Sequence, residues 1–468
     1  MAAVLDWSDK KMKTDTIAAI ATALTNAGIG IIRISGPEAF SVIDRIFRGK
    51  KEKPLSLAKS HTVHYGWIEE NGKTIDEVMV LVLRAPHTYT RENTIEIDCH
   101  GGVLVMKKIL DLVLKNGARL AEPGEFTKLA FLSGRIDLTQ AEAVMDFIQS
   151  ENEFARKASL NQLKGEISEK VRNLRKQILY EIAWIESALD DPEHISLEGY
   201  EIHLSEVVDY WIAELEHWLR TSENGKILKD GIKTVILGKP NVGKSSLMNL
   251  LAGEECAIVT EIAGTTRDIL TEHIKLGEIS LNMIDTAGIR DTDNIVEKIG
   301  IEKARQYAKE ADLILYIVDS SIPFDQSDEE ILTFIQDKRI IVVLNKTDLP
   351  VVLQKDLLEK KIGKKVISFS AKQGFGLKEL QKEIENLFLE DRTFEDHFTI
   401  ITNMRQKEAL SQALESIKMV KQSIEEGMSE DFYTIDLMNG YEQLGFLIGE
   451  SLGEDLVNEI FSKFCMGK

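Results

Sequence analysis

The segment Gly238-Lys239-Pro240-Asn241-Val242-Gly243-Lys244-Ser245 follows the apolar run Val235-Ile236-Leu237 directly and runs into the helix-like Ser246-Leu247-Met248-Asn249. A strand, a glycine-bearing turn and a helix in that order are the setting that a phosphate-binding G-x-x-x-x-G-K-[ST] loop needs. The two glycines let the backbone wrap, so that successive N–H groups face an anion at the start of the helix. Lys244 supplies a mobile charge for β and γ phosphates, and Ser245 a hydroxyl for Mg²⁺. Asn241, Val242, Gly243 and Ser246 complete the phosphate contacts.

About a hundred residues downstream, the strand-like Ile340-Ile341-Val342-Val343-Leu344 leads into Asn345-Lys346-Thr347-Asp348. Asp348 can accept hydrogen bonds from guanine N1–H and N2–H₂ together. Adenine has no such pair of donors and would leave the carboxylate unpaired. Ser370-Ala371-Lys372, after Val366-Ile367-Ser368-Phe369, resembles the loop that closes over the guanine. The set implies GTP.

Metal and γ-phosphate contacts are expected from two further segments. Asp285-Thr286-Ala287-Gly288 ends the strand-like Ile279 to Ile284, with Asp285 holding Mg²⁺ through water and the Gly288 N–H meeting the γ-phosphate. Gly264-Thr265-Thr266-Arg267-Asp268 resembles the first switch of translation-factor-like GTPases, with Thr266 as a second hydroxyl ligand to Mg²⁺. Ile289 stands where Ras-like proteins carry the Gln that orients the attacking water, and an Ile side chain cannot do so. Glu297 is the candidate for that role. No arginine finger can be named. Oxygens of Asn241 and of Thr260-Glu261-Ile262-Ala263-Gly264-Thr265 suggest a monovalent cation, K⁺, in its place, with Asn241, Thr260, Ile262 and Thr265 as ligands.

The 468 residues are too many for one domain and suggest three, and 43% hydrophobic content suffices for ordinary cores. Met1 to Asp15 is polar, without the apolar stretch of a secretory leader, and no apolar run approaches a membrane span. Cys99, Cys256 and Cys465 are far apart, which excludes a disulfide framework and a cysteine zinc site and points to the cytoplasm. A net charge of −20 argues against a broad nucleic-acid-binding surface. It leaves room for a local basic patch or a basic partner.

Three textures divide the chain. Residues 1–134 read α+β: Ile29 to Ile34 is a strand, His61 to Glu70 turns at Asn71-Gly72 into Lys73 to Arg84, and Thr94 to Cys99 alternates. Residues 135–228 turn helical. Ile167, Val171, Leu174, Ile178, Ile182, Ile185 and Leu189 form one apolar face of a long helix, and Asp137 or Thr139, with Gln140 or Glu142, can cap the helix before it. Residues 229–389 carry the nucleotide motifs, and helical spacing resumes in 390–468 at Leu410, Ala413, Ile417, Val420 and Ile424. A doubly wound domain with adjacent ends can be inserted between helices of one bundle without breaking its core. The expected fold is therefore multidomain: an N-terminal α+β domain, an all-α domain, and a Ras-like P-loop α/β domain inserted in it.

Further segments carry a family resemblance. Asp15-Thr16-Ile17-Ala18-Ala19-Ile20-Ala21-Thr22, Gly30-Ile31-Ile32-Arg33-Ile34-Ser35-Gly36 and Pro123-Gly124-Glu125-Phe126-Thr127-Lys128 resemble the MnmE (TrmE) tRNA-modification GTPases. So do Gly134-Arg135-Ile136-Asp137-Leu138-Thr139-Gln140-Ala141-Glu142-Ala143 and Phe464-Cys465-Met466-Gly467-Lys468. Two departures stand out: Ala23-Leu24-Thr25-Asn26-Ala27-Gly28 replaces a Pro/Gly/Arg-rich loop, and Met466 replaces Ile, Leu or Val. The resemblance implies a homodimer that binds 5-formyltetrahydrofolate or a related folate through its N-terminal domain. It implies work with an FAD-containing MnmG (GidA) partner, as a heterotetramer, on C5 of the wobble uridine of certain tRNAs. It implies Arg33, Glu96 and Arg135 at the folate, with Lys468 reaching the same pocket and Cys465 as a candidate reactive thiol.

Two other readings share some of these motifs. An Era-like ribosome-assembly GTPase has the GTP motifs but normally adds a basic RNA-binding domain, which the acidic composition disfavours. A non-catalytic folate-binding scaffold has no use for the Ser245, Thr266 and Asp285 set.

Overall fold

A computed structural model of the chain describes residues 15–50, 53–253, 272–277, 279–284, 305–388, 401, 403–450, 452–464 and 467. These fall into two units. One comprises Met1–Met145, Gln162–Ser205 and Glu415–Lys468; the other comprises Asp146–Asn161 and Glu206–Leu414.

The first unit holds a seven-stranded sheet: β1 (Ile17–Ile20), β2 (Ile29–Ser35), β3 (Phe47–Gly49), β4 (Thr62–Glu70), β5 (Lys73–Leu83), β6 (Thr94–His100) and β7 (Arg119–Leu120). Their order is β3-β4-β5-β6-β2-β1-β7, and only the β1–β7 pair is parallel. Asn71 (φ 51°) and Gly72 (φ 76°) are both left-handed and link β4 to β5, the backbone a two-residue hairpin of matching twist requires. Along β5, Val78, Val80 and Val82 are buried while Met79 is exposed. That alternation buries one sheet face. It packs with Ile32, Ile34, Ile95 and Ile97 against α1 (Ala39–Ile46) and α2 (Val103–Lys115).

Helices α3 (Glu125–Leu132), α4 (Leu138–Ile148), α5 (Glu153–Leu163), α6 (Glu166–Asp190) and α7 (Tyr200–Asp230) follow in sequence. Asp137, not Thr139, caps α4: its Oδ1 accepts from the Gln140 N–H at 3.0 Å, and Gln140 Oε1 accepts from the Asp137 N–H at 3.0 Å. The apolar face of α6 runs from Ile167 to Ile185, but Leu189 is 41% exposed. Three residues on from Ile185, Ala188 takes the inward position and Leu189 is carried past it.

From Glu415 onward the chain returns to the first unit. Here α8 is Lys244–Gly253, α9 Gln326–Ile335, α10 Lys355–Ile362 and α11 Leu377–Phe388, with α12 (Met404–Glu425), α13 (Glu430–Ile448) and α14 (Glu454–Ser462) closing the chain. On α13, Gly440 lets Ile417 of α12 approach, and a Cβ on Gly445 would stand 2.9 Å from Arg175 Nη2 of α6. Arg175 pairs with Glu450 and donates to the Tyr441 carbonyl at 3.1 Å. Val457, Phe461 and Phe464 join Leu138 and Met145 of α4 in a separate apolar cluster.

The second unit is doubly wound. Strands β8 (Ile232–Leu237), β9 (Glu272–Leu276), β10 (Ile279–Met283), β11 (Leu313–Asp319), β12 (Ile340–Asn345) and β13 (Val366–Ser368) lie in the order β13-β12-β11-β8-β10-β9. All pairs but β9–β10 are parallel, and both faces are covered, so β11 is buried at every residue. The start of α5 belongs here. Asn152 Nδ2 donates to the Leu228 carbonyl (2.9 Å) and to Ser280 Oγ (3.0 Å), its Oδ1 caps α5 at Ala155 N–H (2.7 Å), and Phe154 and Ala158 enter the core beneath the sheet. Among the described residues, no helix is long and apolar enough to cross a membrane.

Candidate functional site

The turn between β8 and α8 is built on two glycines. Gly238 has φ 153° and Gly243 φ 101°. A Cβ on Gly238 would stand 2.4 Å from the Ile317 carbonyl oxygen, and one on Gly243 2.2 Å from Asn345 Nδ2. Any larger residue would break the loop. Asn241, exposed between them, has φ 64°, a conformation Asn adopts more readily than other side-chain-bearing residues. The helix starts at Lys244, two residues before the Ser246 suggested by the sequence, which sets Ser245 and Ser246 in its first turn.

Lys244 Nζ donates to the carbonyls of Gly238 (2.8 Å) and Lys239 (2.7 Å), and burial lowers its ammonium pKa. Lys239 ties the loop to the start of α9, with its Nζ 2.9 Å from Asp325 and 2.7 Å from the buried Asp328, which also accepts from Tyr316 Oη at 2.9 Å. Asp325 and Asp328 form a reciprocal capping box there. This brace was not read from the sequence, although Asp-x-x-Asp ahead of Ile331-Leu332 carries the signal.

The residues expected to read a base converge on the same loop. Asn345 is 2% exposed; its Nδ2 donates to the Val242 carbonyl at 2.8 Å, and its Oδ1 accepts from the Ala371 N–H at 3.1 Å. One amide thereby joins the phosphate loop to the loop of Ser370, Ala371 and Lys372. Lys346, left-handed at φ 61°, sets its ammonium 2.6 Å from Asp319 at the end of β11. Burial pushes the Asp319 carboxyl up, but hydrogen bonds from Lys346 and Ser321 outweigh it and leave it below its ordinary value. Asp348 is exposed and accepts from the buried Ser370 Oγ at 2.7 Å, a bond that holds its carboxyl below the usual range. An ionised, fixed, acceptor-only carboxylate is what two guanine donors need.

A second constellation lies in the first unit. Arg33 on β2 and Glu96 on β6 are register partners, with Arg33 Nε 2.7 Å from Glu96 Oε1 and side chains 18% and 19% exposed. Arg33 stands over the Phe126 ring at 5.6 Å and Arg135 over the Tyr89 ring at 4.8 Å, where Arg135 Nη1 also donates to the Tyr89 carbonyl at 2.9 Å. Burial raises the Tyr89 phenol, against the opposing pull of Thr127, Arg135 and Arg33. Arg33, Glu96 and Arg135, named from scattered motifs, thus gather around Tyr89 and Phe126. Glu96 spends one oxygen on Arg33 rather than standing free.

Residues 16–135 match the sequence model for the N-terminus of the GTP-binding protein TrmE, and residues 138–465 that for the MnmE helical domain. The chain is 57% identical to the tRNA modification GTPase MnmE of Lachnoclostridium phytofermentans over 458 residues, 98% of this chain and 100% of that protein. The chain belongs to the MnmE family of tRNA modification GTPases. The MnmE of Bacillus subtilis is 45% identical over 459 residues, 97% of this chain and 100% of its own length. The G domain of the T. maritima FeoB iron transporter overlaps 33% of this chain and 96% of its own at 28% identity, with a TM-score of 0.26, too slight a likeness to add weight.

As a member of the MnmE family, the chain is read as a GTPase rather than as the Era-like or scaffold alternatives. Thr260 to Thr266 and Asp285 to Gly288 lie outside the described residues, as do Glu297, Cys465 and Lys468. Tyr89, and the stacking of Phe126 under Arg33, carry no sequence signal, because an aromatic beside a polar residue has no periodicity that separates a stacking partner from ordinary core.

Proposed function

We propose that the chain is a K⁺-stimulated, Mg²⁺-dependent GTP hydrolase. With an FAD-containing MnmG (GidA) partner, it adds an aminomethyl or carboxymethylaminomethyl group to C5 of the wobble uridine of certain tRNAs. Asn241 to Ser246 hold the phosphates, with Asn345, Lys346, Asp348 and Ser370 to Lys372 at the base. Ser245 and Thr266 ligate Mg²⁺, with Asp285 behind a water and Gly288 at the γ-phosphate. Bound there, Mg²⁺ would supply charge neutralisation for the phosphates. Asn241, Thr260, Ile262 and Thr265 would hold K⁺, which would supply the positive charge that an arginine finger gives other GTPases. Glu297 orients the attacking water.

A folate carries the one-carbon unit. The observation that supports this reading is the cluster of Arg33, Glu96 and Arg135 around Tyr89 and Phe126. Its carboxylate, two guanidiniums and aromatic faces suit a flat heteroaromatic ring with hydrogen-bond donors and a carboxylated tail. Cys465 and Lys468 serve the same chemistry. A homodimer fits the exposed apolar side chains of the outer sheet face, where Val63 is 59%, Tyr65 42% and Met79 46% exposed. The acidic chain works in the cytoplasm, and tRNA contacts fall to local patches and to the partner.

Calorimetric titration with 5-formyltetrahydrofolate tests the folate half. Saturable binding that is lost in Arg135→Ala, with GTP binding retained, is the expected result. No binding to the unaltered chain contradicts it.

A further inference from the structure

Residues 45–59 carry six basic side chains, Arg45, Arg48, Lys50, Lys51, Lys53 and Lys59, against one acidic one, Glu52, in a chain whose net charge is −20. The stretch runs from the last turn of α1 through β3 towards the start of β4, and β3 is the terminal strand of its sheet. Its backbone is anchored. Gly66 of β4 lies so close that a Cβ there would stand 2.3 Å from the Arg48 carbonyl oxygen. Beyond β3, Asp44 Oδ1 accepts from the Leu55 N–H at 2.6 Å and Arg84 Nε donates to the Ala58 carbonyl at 2.9 Å. These bonds hold the 3₁₀ turn Leu55–Leu57 at both ends.

Two of the cations have structural work. Arg45 Nη1 donates to the Asn116 carbonyl at 2.5 Å, and Arg48 Nη1 to the carbonyls of Phe47 (2.8 Å) and Asp44 (3.2 Å). Both stand at the C-terminal end of α1, where positive charge offsets the helix dipole. Lys50, Lys53 and Lys59 have no such use. All three are exposed, and among the described residues none has a carboxylate partner. Lys50 Nζ stands 5.2 Å over the Tyr65 ring. Lysine on an edge strand can serve to keep other strands away, but β3 is only three residues long, and Lys53 and Lys59 lie outside it. An acidic chain repels polyanions overall, so a strip of unpaired ammoniums on a fixed backbone is where a phosphate backbone can approach.

We propose that this edge is a contact surface for the phosphate backbone of tRNA, with Lys50, Lys53 and Lys59 as the contacting residues. The identity of the nucleic acid rests on the proposed function. The RNA lies along β3 and the turn after it, beside the apolar face given to the homodimer and not on it. A lysine ammonium is a point charge without the fork of a guanidinium, so the contact is to phosphate and positions the RNA without reading its bases.

Fluorescence anisotropy with an in vitro transcribed tRNA, titrated with the full chain at several salt concentrations, tests this. In a variant combining Lys50→Glu, Lys53→Glu and Lys59→Glu, affinity is expected to fall by about tenfold or more. The slope of log affinity against log salt is expected to shrink by about two. A control combining Lys360→Glu, Lys364→Glu and Lys378→Glu, at exposed positions of the second unit, makes the same change in net charge. It is expected to bind nearly as well as the unaltered chain. Unchanged GTP hydrolysis shows that each variant is folded, and glutamine at Lys50, Lys53 and Lys59 replaces glutamate should the first variant fail to fold. Equal weakening in edge variant and control, unchanged affinity in the edge variant, or no tRNA binding by the unaltered chain overturns the edge. So does a variant that loses binding to phosphatidylglycerol vesicles while tRNA binding is unaffected. Each of these results leaves the proposed function standing, because that reading fails only if wobble-uridine modification does not depend on the chain.

Discussion

Asn345 and Val242 are 103 residues apart in the chain, yet the Asn345 side-chain amide meets the Val242 carbonyl at 2.8 Å. The same amide group accepts from Ala371, so three loops of the nucleotide site hang on one buried side chain. Asn345→Ala leaves the Val242 carbonyl and the Ala371 N–H without it. A lost buried hydrogen bond of this kind costs about 1–3 kcal/mol, so GTP affinity should fall by about tenfold or more. Titration with a fluorescent GTP analogue measures this. Unchanged affinity would mean that the loops hold their arrangement without the amide.

If Asp348 reads guanine as proposed, its bond from Ser370 sets the acid limit of that contact. The Ser370 hydroxyl holds the Asp348 carboxyl below the ordinary value, so in the folded chain Asp348 stays ionised as pH falls through the usual carboxylate range. A depressed carboxyl keeps its contribution above the ordinary pKa and loses it only as pH drops through its own lower value. In Ser370→Ala, the acid-side loss of GTP affinity should therefore begin at higher pH than in the unaltered chain. Superimposable pH profiles would remove Ser370 from that role.

Much of this arrangement was legible because it is local. Asn71-Gly72 forecast a hairpin, and the apolar run before Asn345 forecast a strand leading into that loop; its parallel pairing with the strand before Ser370 came from the structure. The α6 face was legible up to Ile185 and failed at Leu189, where a small residue, Ala188, took the inward position. Contacts that depend on a single polar residue or on distant backbone were not legible. Asn152 precedes a polar helix and carries no periodic signal, yet it joins Leu228 and Ser280. Gly467 meets Ile20 through the absence of a side chain, and no spacing rule reports that. The pairing of Arg33 with Glu96 depends on β2–β6 register, which sequence alone leaves open.

The exposed, left-handed Asn241 carries the cation proposal. GTP turnover should be higher in K⁺ than in Na⁺ by on the order of 10³, the scale of the arginine-finger effect it replaces. Asn241→Ala should erase most of the difference. Steady-state phosphate release in the two salts is the measurement, and equal rates would rule K⁺ out.

Glu297 is the proposed partner of the attacking water because Ile289 cannot serve. Glu297→Ala should lower single-turnover hydrolysis by on the order of 10²-fold or more, with GTP affinity nearly unchanged. A parallel fall in binding and turnover would make Glu297 structural.

The central claim is that this chain's GTPase activity serves wobble-uridine modification, and nucleoside mass spectrometry of tRNA tests it most directly. In a strain lacking the gene, the C5-substituted wobble uridines should disappear. They should return with the unaltered chain but not with Glu297→Ala, the variant expected to keep GTP affinity and lose hydrolysis. Their persistence in the deletion strain would contradict the account.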